Sequence, residues 1–203
     1  MSKKLIIVFE GIEGAGKSYH INKVAKYLKK IKKNFIQIRE PGGSINSEKI
    51  RKLILNNKST FNKYTDLLLY LSARSENMEL IKKNLGKKII LIDRFTDSTI
   101  AYQHYGMGVN LKLINDMNTF LLKGIKVDFT FLNTVSQKNM KNRLLKRKRL
   151  NRYDKFNYNF YQRVQKGFIK ILNKDSKKYM KIDSNLNIAD NEKIILNKIK
   201  DLI

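Results

Sequence analysis

The stretch Gly11-Ile12-Glu13-Gly14-Ala15-Gly16-Lys17-Ser18 spells G-x-x-x-x-G-K-[ST], directly after an apolar run and at the start of a helical pattern. Phosphate binding is the chemistry such an octapeptide can do. Its glycines let successive backbone N–H groups turn inward around phosphate oxygens, and the helix start adds the positive end of its dipole. Lys17 can reach β- and γ-phosphates, and Ser18 can ligate Mg²⁺. The implied ligand is a nucleoside triphosphate.

The loop leaves open what receives the phosphoryl group. None of the five Asn-Lys pairs extends to N-K-x-D, and no aspartate begins D-x-x-G, so the marks of a GTPase are missing. Further along, Arg39-Glu40-Pro41-Gly42-Gly43 holds the only proline of the chain and reads at least as a tight turn closing a strand. Asp93-Arg94-Phe95-Thr96-Asp97-Ser98-Thr99-Ile100-Ala101-Tyr102-Gln103 sets an acid and an arginine side by side behind another apolar run. In a parallel α/β sheet that carboxyl end is where ligands bind. Tyr70 and Arg74, four residues apart, share one face of a helix. A ring with a guanidinium can stack on a base and hydrogen-bond it, and the same spacing also suits a buried tyrosine beside a surface arginine.

The elements that position these residues follow from periodicity. Lys4–Phe9 is a continuous apolar strand, and Ile21, Val24, Ala25, Leu28 and Ile31 repeat at helical spacing before a second β-like run, Phe35–Ile38. Apolar runs at Ile89–Asp93 and Val127–Leu132 are separated by long helical stretches rather than hairpin turns. A short fifth strand, Tyr179–Asp183, precedes a final helix carrying Ile194, Ile195, Ile199 and Leu202. Strands apolar on both faces and alternating with helices predict a doubly wound α/β sheet.

Composition sets the bounds. A chain of 203 residues that is 42% hydrophobic and 30% charged can build one domain with a core, burying about 70% of its unfolded surface. No repeat or linker marks a second domain. The absence of cysteine excludes disulfides, thiolate metal sites and a cysteine nucleophile, and two histidines, His20 and His104, cannot make a His-based metal cluster. No run reaches the ~18 apolar residues of a membrane helix, and the N-terminal apolar run is too short for a signal peptide. The net charge of +26 favours polyanions, yet lysine pairs are spread over many segments and read as solvated faces rather than a nucleic-acid stripe. Only 138–152 is a basic block, and 147–159 is the best place for a mobile insert. His20 reads as a surface or packing residue, His104 as a packing or site-lining residue beside Tyr102-Gln103, and the glycines of HYGMG as a sharply bent loop.

Taken in order, FEGIEGAGKS, REPGG, the Tyr70/Arg74 pair, DRFTDSTIAYQ, VDFTFLN, the arginine-rich segment up to NRYD, and FYQRV resemble the thymidylate kinases, the bacterial form most closely. The resemblance implies a P-loop nucleoside-monophosphate-kinase-like α/β fold with a five-stranded parallel sheet flanked by helices on both faces, all in one domain. It implies phosphorylation of dTMP to dTDP by ATP with Mg²⁺, in the cytoplasm, by a homodimer that needs neither membrane nor nucleic acid.

Carried over by position, the resemblance gives Gly11, Ile12, Glu13, Gly14, Ala15, Gly16, Lys17 and Ser18 to the ATP phosphates. Lys17 and Arg94 stabilise the transferring group, with Arg94 also on the dTMP phosphate, while Asp93 and Ser18 serve Mg²⁺. Glu13 lies near the acceptor 3′-hydroxyl, and Arg39, Glu40 and Pro41 shape the monophosphate pocket. Tyr70 stacks on thymine, Arg74 bonds its O4, Ser98, Thr99 and Gln103 belong to the substrate pocket, and Tyr102 crowds C2′ against a ribose. A lid at about 143–156 supplies Arg147 and Arg152 to ATP, because the P-loop has Gly14 where a subgroup carries arginine; Arg149 has no assigned role. Tyr19, Val127 and Asn133 depart from the usual Thr, Pro and Asp. The alternatives are a related kinase with another acceptor and a basic nucleic-acid-binding P-loop protein.

Overall fold

The computed structural model describes residues 5–147 and 150–203. Five strands, β1 (Leu5–Glu10), β2 (Phe35–Arg39), β3 (Ile89–Asp93), β4 (Phe129–Thr134) and β5 (Tyr179–Asp183), form one sheet in the order β2-β3-β1-β4-β5. Every pairing is parallel, with Leu5 opposite Ile89 and Ile7 opposite Phe129 fixing β1 in the centre. The fold is the expected five-stranded α/β sheet. The fourth strand starts two residues later than the apolar run suggested and extends through Asn133 and Thr134.

Period-two alternation divides the core. Leu5, Ile7 and Phe9 face α1 (Lys17–Lys30) and α8 (Ile188–Leu202), packing on Ile21, Val24, Ile195 and Ile199. Ile6 and Val8 face the other way, toward α3 (Lys63–Asn84) with Met78 and Ile81. Both faces are covered, so all six residues of β1 are buried. Around the same sheet run α2 (Ile45–Leu55), a short turn α4 (Thr96–Thr99), α5 (Leu111–Leu122), α6 (Gln137–Leu145) and α7 (Tyr158–Lys174).

Helix starts are marked by side chains. Ser44, Asn62, Asn110, Ser136, Asn157 and Asn187 each accept a hydrogen bond from a first-turn N–H of α2, α3, α5, α6, α7 and α8. Helix α1 has no such cap: it begins at Gly16 in the left-handed region, φ 85°, leaving its N–H groups to the loop before it.

Two segments expected to be irregular are partly helical. Ile100–Gly106 winds as a π-helical stretch continuing α4, so Gly106 of HYGMG ends a helix, where a Cβ would meet Phe160 at 2.7 Å, while Gly108 makes the expected sharp bend at φ 73°. Within 147–159, Arg152–Lys155 forms a 3₁₀ turn, with Asn151 and Asp154 reciprocally satisfying its start. Arg149 lies outside the described residues.

Candidate active site

The carboxyl ends of β1, β2 and β3 converge on a cleft of about 180 Å³. Its walls bring together Glu13, Lys17, Ser18, Arg39, Glu40, Pro41, Tyr70, Asp93, Arg94 and Arg147, which the sequence had placed in one site from five separate segments. Five cations, Lys17, Arg39, Arg51, Arg94 and Arg147, face three acids there, an excess suited to phosphate groups.

Lys17 is buried and folds back over the loop, donating from Nζ to the carbonyls of Gly11 (2.8 Å) and Ile12 (2.9 Å). Burial pushes its ammonium down to about 8 with help from nearby Arg94, against the pull of Asp93, Glu13 and Glu10. A bound polyphosphate would hold it firmly as the ammonium. Ser18 donates from Oγ to Asp93 Oδ2 at 2.8 Å, joining the first turn of α1 to the end of β3.

Arg94 occupies a left-handed conformation, φ 66°, which a non-glycine residue adopts only when its surroundings impose it. Its N–H donates to Phe9 O, while its guanidinium reaches Gly11 O (2.8 Å) and Glu13 Oε1 (2.9 Å) and lies over the Tyr102 ring. Tyr102 donates to the other Glu13 oxygen. Burial pushes the Glu13 carboxyl up, but Arg94 and Lys17 outweigh it and hold it below the usual range. Glu13 is therefore an anion fixed on both oxygens.

Beneath this layer, Glu40 and Arg74 form a buried ion pair, with Nε at 2.9 Å and Nη2 at 2.8 Å from Oε2, and Asn118 accepts from Nη1 at 2.7 Å. Burial pushes the Glu40 carboxyl up more than Arg74 lowers it. Arg74 is thus the buried partner of Glu40, whereas Arg39, on the wall of the cleft, is exposed and paired with Glu48. Thr99 ends α4 and Gln103 lies on the π-helical stretch beside Tyr102, and Thr99 Oγ1 and Gln103 Oε1 are buried without a partner. Ser98 is buried and donates to Glu10 at 2.5 Å, and does not line the cleft.

The two arginines of the expected lid part company. Arg147 lines the cleft and is held by Asp154 at 2.7 Å. Arg152 turns the other way: its guanidinium bonds Asp66 and the Ile54 carbonyl and lies on the ring of Phe61. In this arrangement it does not face the P-loop. His20, on the first turn of α1, is buried and lines a recess beside Gly16, and burial pushes its imidazole down to about 4. His104 bonds Val109 O at the end of the π-helical stretch and does not line the cleft.

Some residues of the site escaped the sequence. Arg51 of α2 bonds Pro41 O at 2.6 Å and lines the cleft, and nothing in its neighbourhood distinguished it from other basic residues of a solvated helix. Asp66 was missed too, although it stands four residues before Tyr70 and eight before Arg74, on their face of α3. A second recess of about 210 Å³ adjoins the P-loop at Gly16, with Arg143, Ser184, Leu186 and Asn191 around it. Arg143 bridges it, donating to Gly14 O (2.8 Å) and Ser184 O (2.6 Å).

The geometry is thus a P-loop and a second, deeper pocket meeting at Arg94. A family model described as "Thymidylate kinase" matches residues 9–195. This chain belongs to the thymidylate kinase family. Thymidylate kinase from Sulfurihydrogenibium is 36% identical over 197 residues, covering 96% of each chain. That of Wolbachia pipientis is 42% identical over 176 residues, covering 84% of this chain and 86% of the relative. The crystal structure of thymidylate kinase from Ehrlichia chaffeensis superposes with a TM-score of 0.78 at 30% identity, covering 97% of this chain and 98% of that one.

Proposed function

We propose that the cleft around Glu13, Arg94 and Tyr102 holds dTMP, and that the P-loop with the recess at Arg143 holds ATP. The enzyme phosphorylates dTMP to dTDP with ATP, a step toward dTTP. One observation carries the assignment of sides: Arg94, after the end of β3, bonds Gly11 O and Glu13 of the P-loop while lining the cleft with Glu40, Tyr70 and Asp93, so a cation stands where the loop and the cleft join.

Phosphoryl transfer asks for positioning and charge stabilisation more than covalent chemistry. An oxygen of the dTMP phosphate attacks the γ-phosphorus, and the bond from that phosphorus to the β,γ-bridging oxygen breaks, releasing ADP. Lys17 and Arg94 stabilise the oxygens that gain charge, and Arg147 adds a third cation from the segment 143–156, which acts as a lid. Glu13, fixed by Arg94 and Tyr102, accepts from the 3′-hydroxyl, and the Tyr102 ring crowds C2′ so that deoxyribose is preferred. Tyr70 stacks on the base, and the free donors of Arg74 meet its O4.

The residues present fit Mg²⁺. Ser18 and Asp93 offer a hydroxyl and a carboxylate side by side, and no cluster of three or more His, Cys, Asp or Glu exists among the described residues. An ion held there would take its other ligands from water and phosphate, which is the habit of Mg²⁺. When bound, the ion neutralises charge on the ATP phosphates.

A homodimer is also proposed: Leu68 of α3 and Leu113 and Phe120 of α5 leave large apolar side chains exposed on two helices that pack together. No helix among the described residues is long and apolar enough to cross a membrane, and use of ATP supports a place in the cytoplasm. The deciding experiment is ADP release with ATP and Mg²⁺, comparing dTMP with dUMP, dCMP, dGMP, ribo-TMP and no acceptor. Strong preference for dTMP with failure of ribo-TMP is expected; another preferred acceptor would overturn the base-side assignments.

A further inference from the structure

Asp66 is fully buried and accepts three hydrogen bonds from two other parts of the fold. Gln103 Nε2 of the π-helical stretch donates to Oδ2 at 2.9 Å, Tyr153 OH donates to the same oxygen at 2.5 Å, and Arg152 Nη2 donates to Oδ1. A carboxylate can only accept, so the amide of Gln103 must turn its NH₂ toward Asp66. Its carbonyl oxygen is left as the free end, and Oε1 is indeed buried without a partner. A buried acceptor with no donor is costly unless a ligand supplies one.

We propose that Asp66 is a positioning residue that fixes the polarity of the Gln103 amide, so that the pocket presents an acceptor to a base edge carrying an N–H. The inference rests on the reading that Gln103 faces the acceptor base. Thymine and uracil carry N3–H beside O4, which a Gln103 acceptor and an Arg74 donor complement. Cytosine carries the reverse pattern, a bare N3 beside an N4 amine, and meets like against like at both points. Specificity then arises from a group that does not touch the base. The same carboxylate docks Arg152 and Tyr153, so the wall that selects the base also seats the segment expected to close over ATP.

The test is kcat and KM for dTMP and dCMP in the wild type, Asp66→Asn, Gln103→Leu and the double variant. Asparagine presents a donor as well as an acceptor, so the Gln103 amide can turn over. Asp66→Asn is expected to lower the dTMP-to-dCMP ratio of kcat/KM roughly tenfold, through a higher dTMP KM and a gain on dCMP, and to add nothing in the Gln103→Leu background. An unchanged ratio in Asp66→Asn, with a lowered one in Gln103→Leu, overturns the role of Asp66 and leaves the base contact standing. If Gln103→Leu itself leaves both dTMP KM and the ratio unchanged, the base contact fails and the inference with it. Asp66→Asn can unfold the chain, so the wild type gives a second reading. The Gln103 side-chain NH₂ resonances, assigned by their loss in Gln103→Leu, should exchange slowly with water before and after dTMP is added, and rapid exchange in either state would overturn the proposal.

Discussion

Ser18 Oγ and Asp93 Oδ2 meet at 2.8 Å across the gap between the first turn of α1 and the end of β3. Ser18 is exposed, so removing its hydroxyl leaves the core untouched, while the oxygen pair proposed for Mg²⁺ loses one member. Ser18→Ala is expected to raise the half-saturating Mg²⁺ concentration about tenfold with Tm unchanged. Rate measured against Mg²⁺ at fixed ATP checks it, and an unchanged Mg²⁺ dependence would move the metal site elsewhere.

Arg147 and Arg152 separate the chemistry from the seating of the lid. Arg147 lines the cleft, so Arg147→Ala should lower kcat at saturating dTMP and ATP by roughly 10². Arg152 is committed to Asp66, Ile54 and Phe61, so Arg152→Ala should lower kcat by less than about tenfold and lower Tm, since it strips a buried carboxylate of its partner. The reverse ranking would return Arg152 to the phosphates.

What the sequence disclosed and what it hid divide by range. The P-loop, the strands and the placement of Asp93 and Arg94 at the end of β3 follow from local pattern, because a parallel strand buried on both faces and a glycine loop before a helix are written in consecutive residues. The helical end of Ile100–Gly106 was hidden, since His104, Tyr105 and Gly106 read as a loop, and the Phe160 and Val164 side chains of α7 that pack on Gly106 are far away in sequence. The destination of Arg152 was hidden for the same reason. Its partner Asp66 lies on a distant helix, and a basic residue beside a tyrosine carries no local sign of which anion it will find.

Gly11 and Gly14 belong to one loop yet should respond differently to alanine. Gly11 has φ 136°, and a Cβ there would stand 2.1 Å from Asn133 O, a backbone atom of β4 that cannot move aside. Gly14 has φ 71° with the nearest atom at 3.4 Å, so only its backbone conformation is strained. Gly11→Ala is expected to cost about 3 kcal/mol or more and Gly14→Ala about 1 kcal/mol in urea unfolding. Equal losses would mean that the close approach to Asn133 does not constrain the loop.

Glu10, at the end of the central strand, links the site to pH. It is fully buried and accepts from the N–H groups of Phe95 and Ser98 and from the Ser98 hydroxyl. Burial, then the nearby Asp97 charge, push its carboxyl up to about 8, while Ser98, Phe95 and Arg94 pull the other way. A carboxyl raised in the folded state binds its proton more tightly there than in the unfolded chain. Its contribution to stability is therefore complete below the unfolded value of 4.5 and is lost as pH rises through about 8. Glu10→Gln keeps the shape, can still accept from Phe95 and can donate to Ser98, and carries no charge to bury. The two proteins should unfold at similar urea concentrations near pH 5, and the wild type should fall progressively behind the variant toward pH 8.5. Every group remote from Glu10 titrates alike in both, so the difference between the two curves reads Glu10 together with its effect on the neighbouring Asp97. A flat difference across that window would show that Glu10 ionises as an ordinary carboxylate, and that its three hydrogen bonds and Arg94 outweigh its burial.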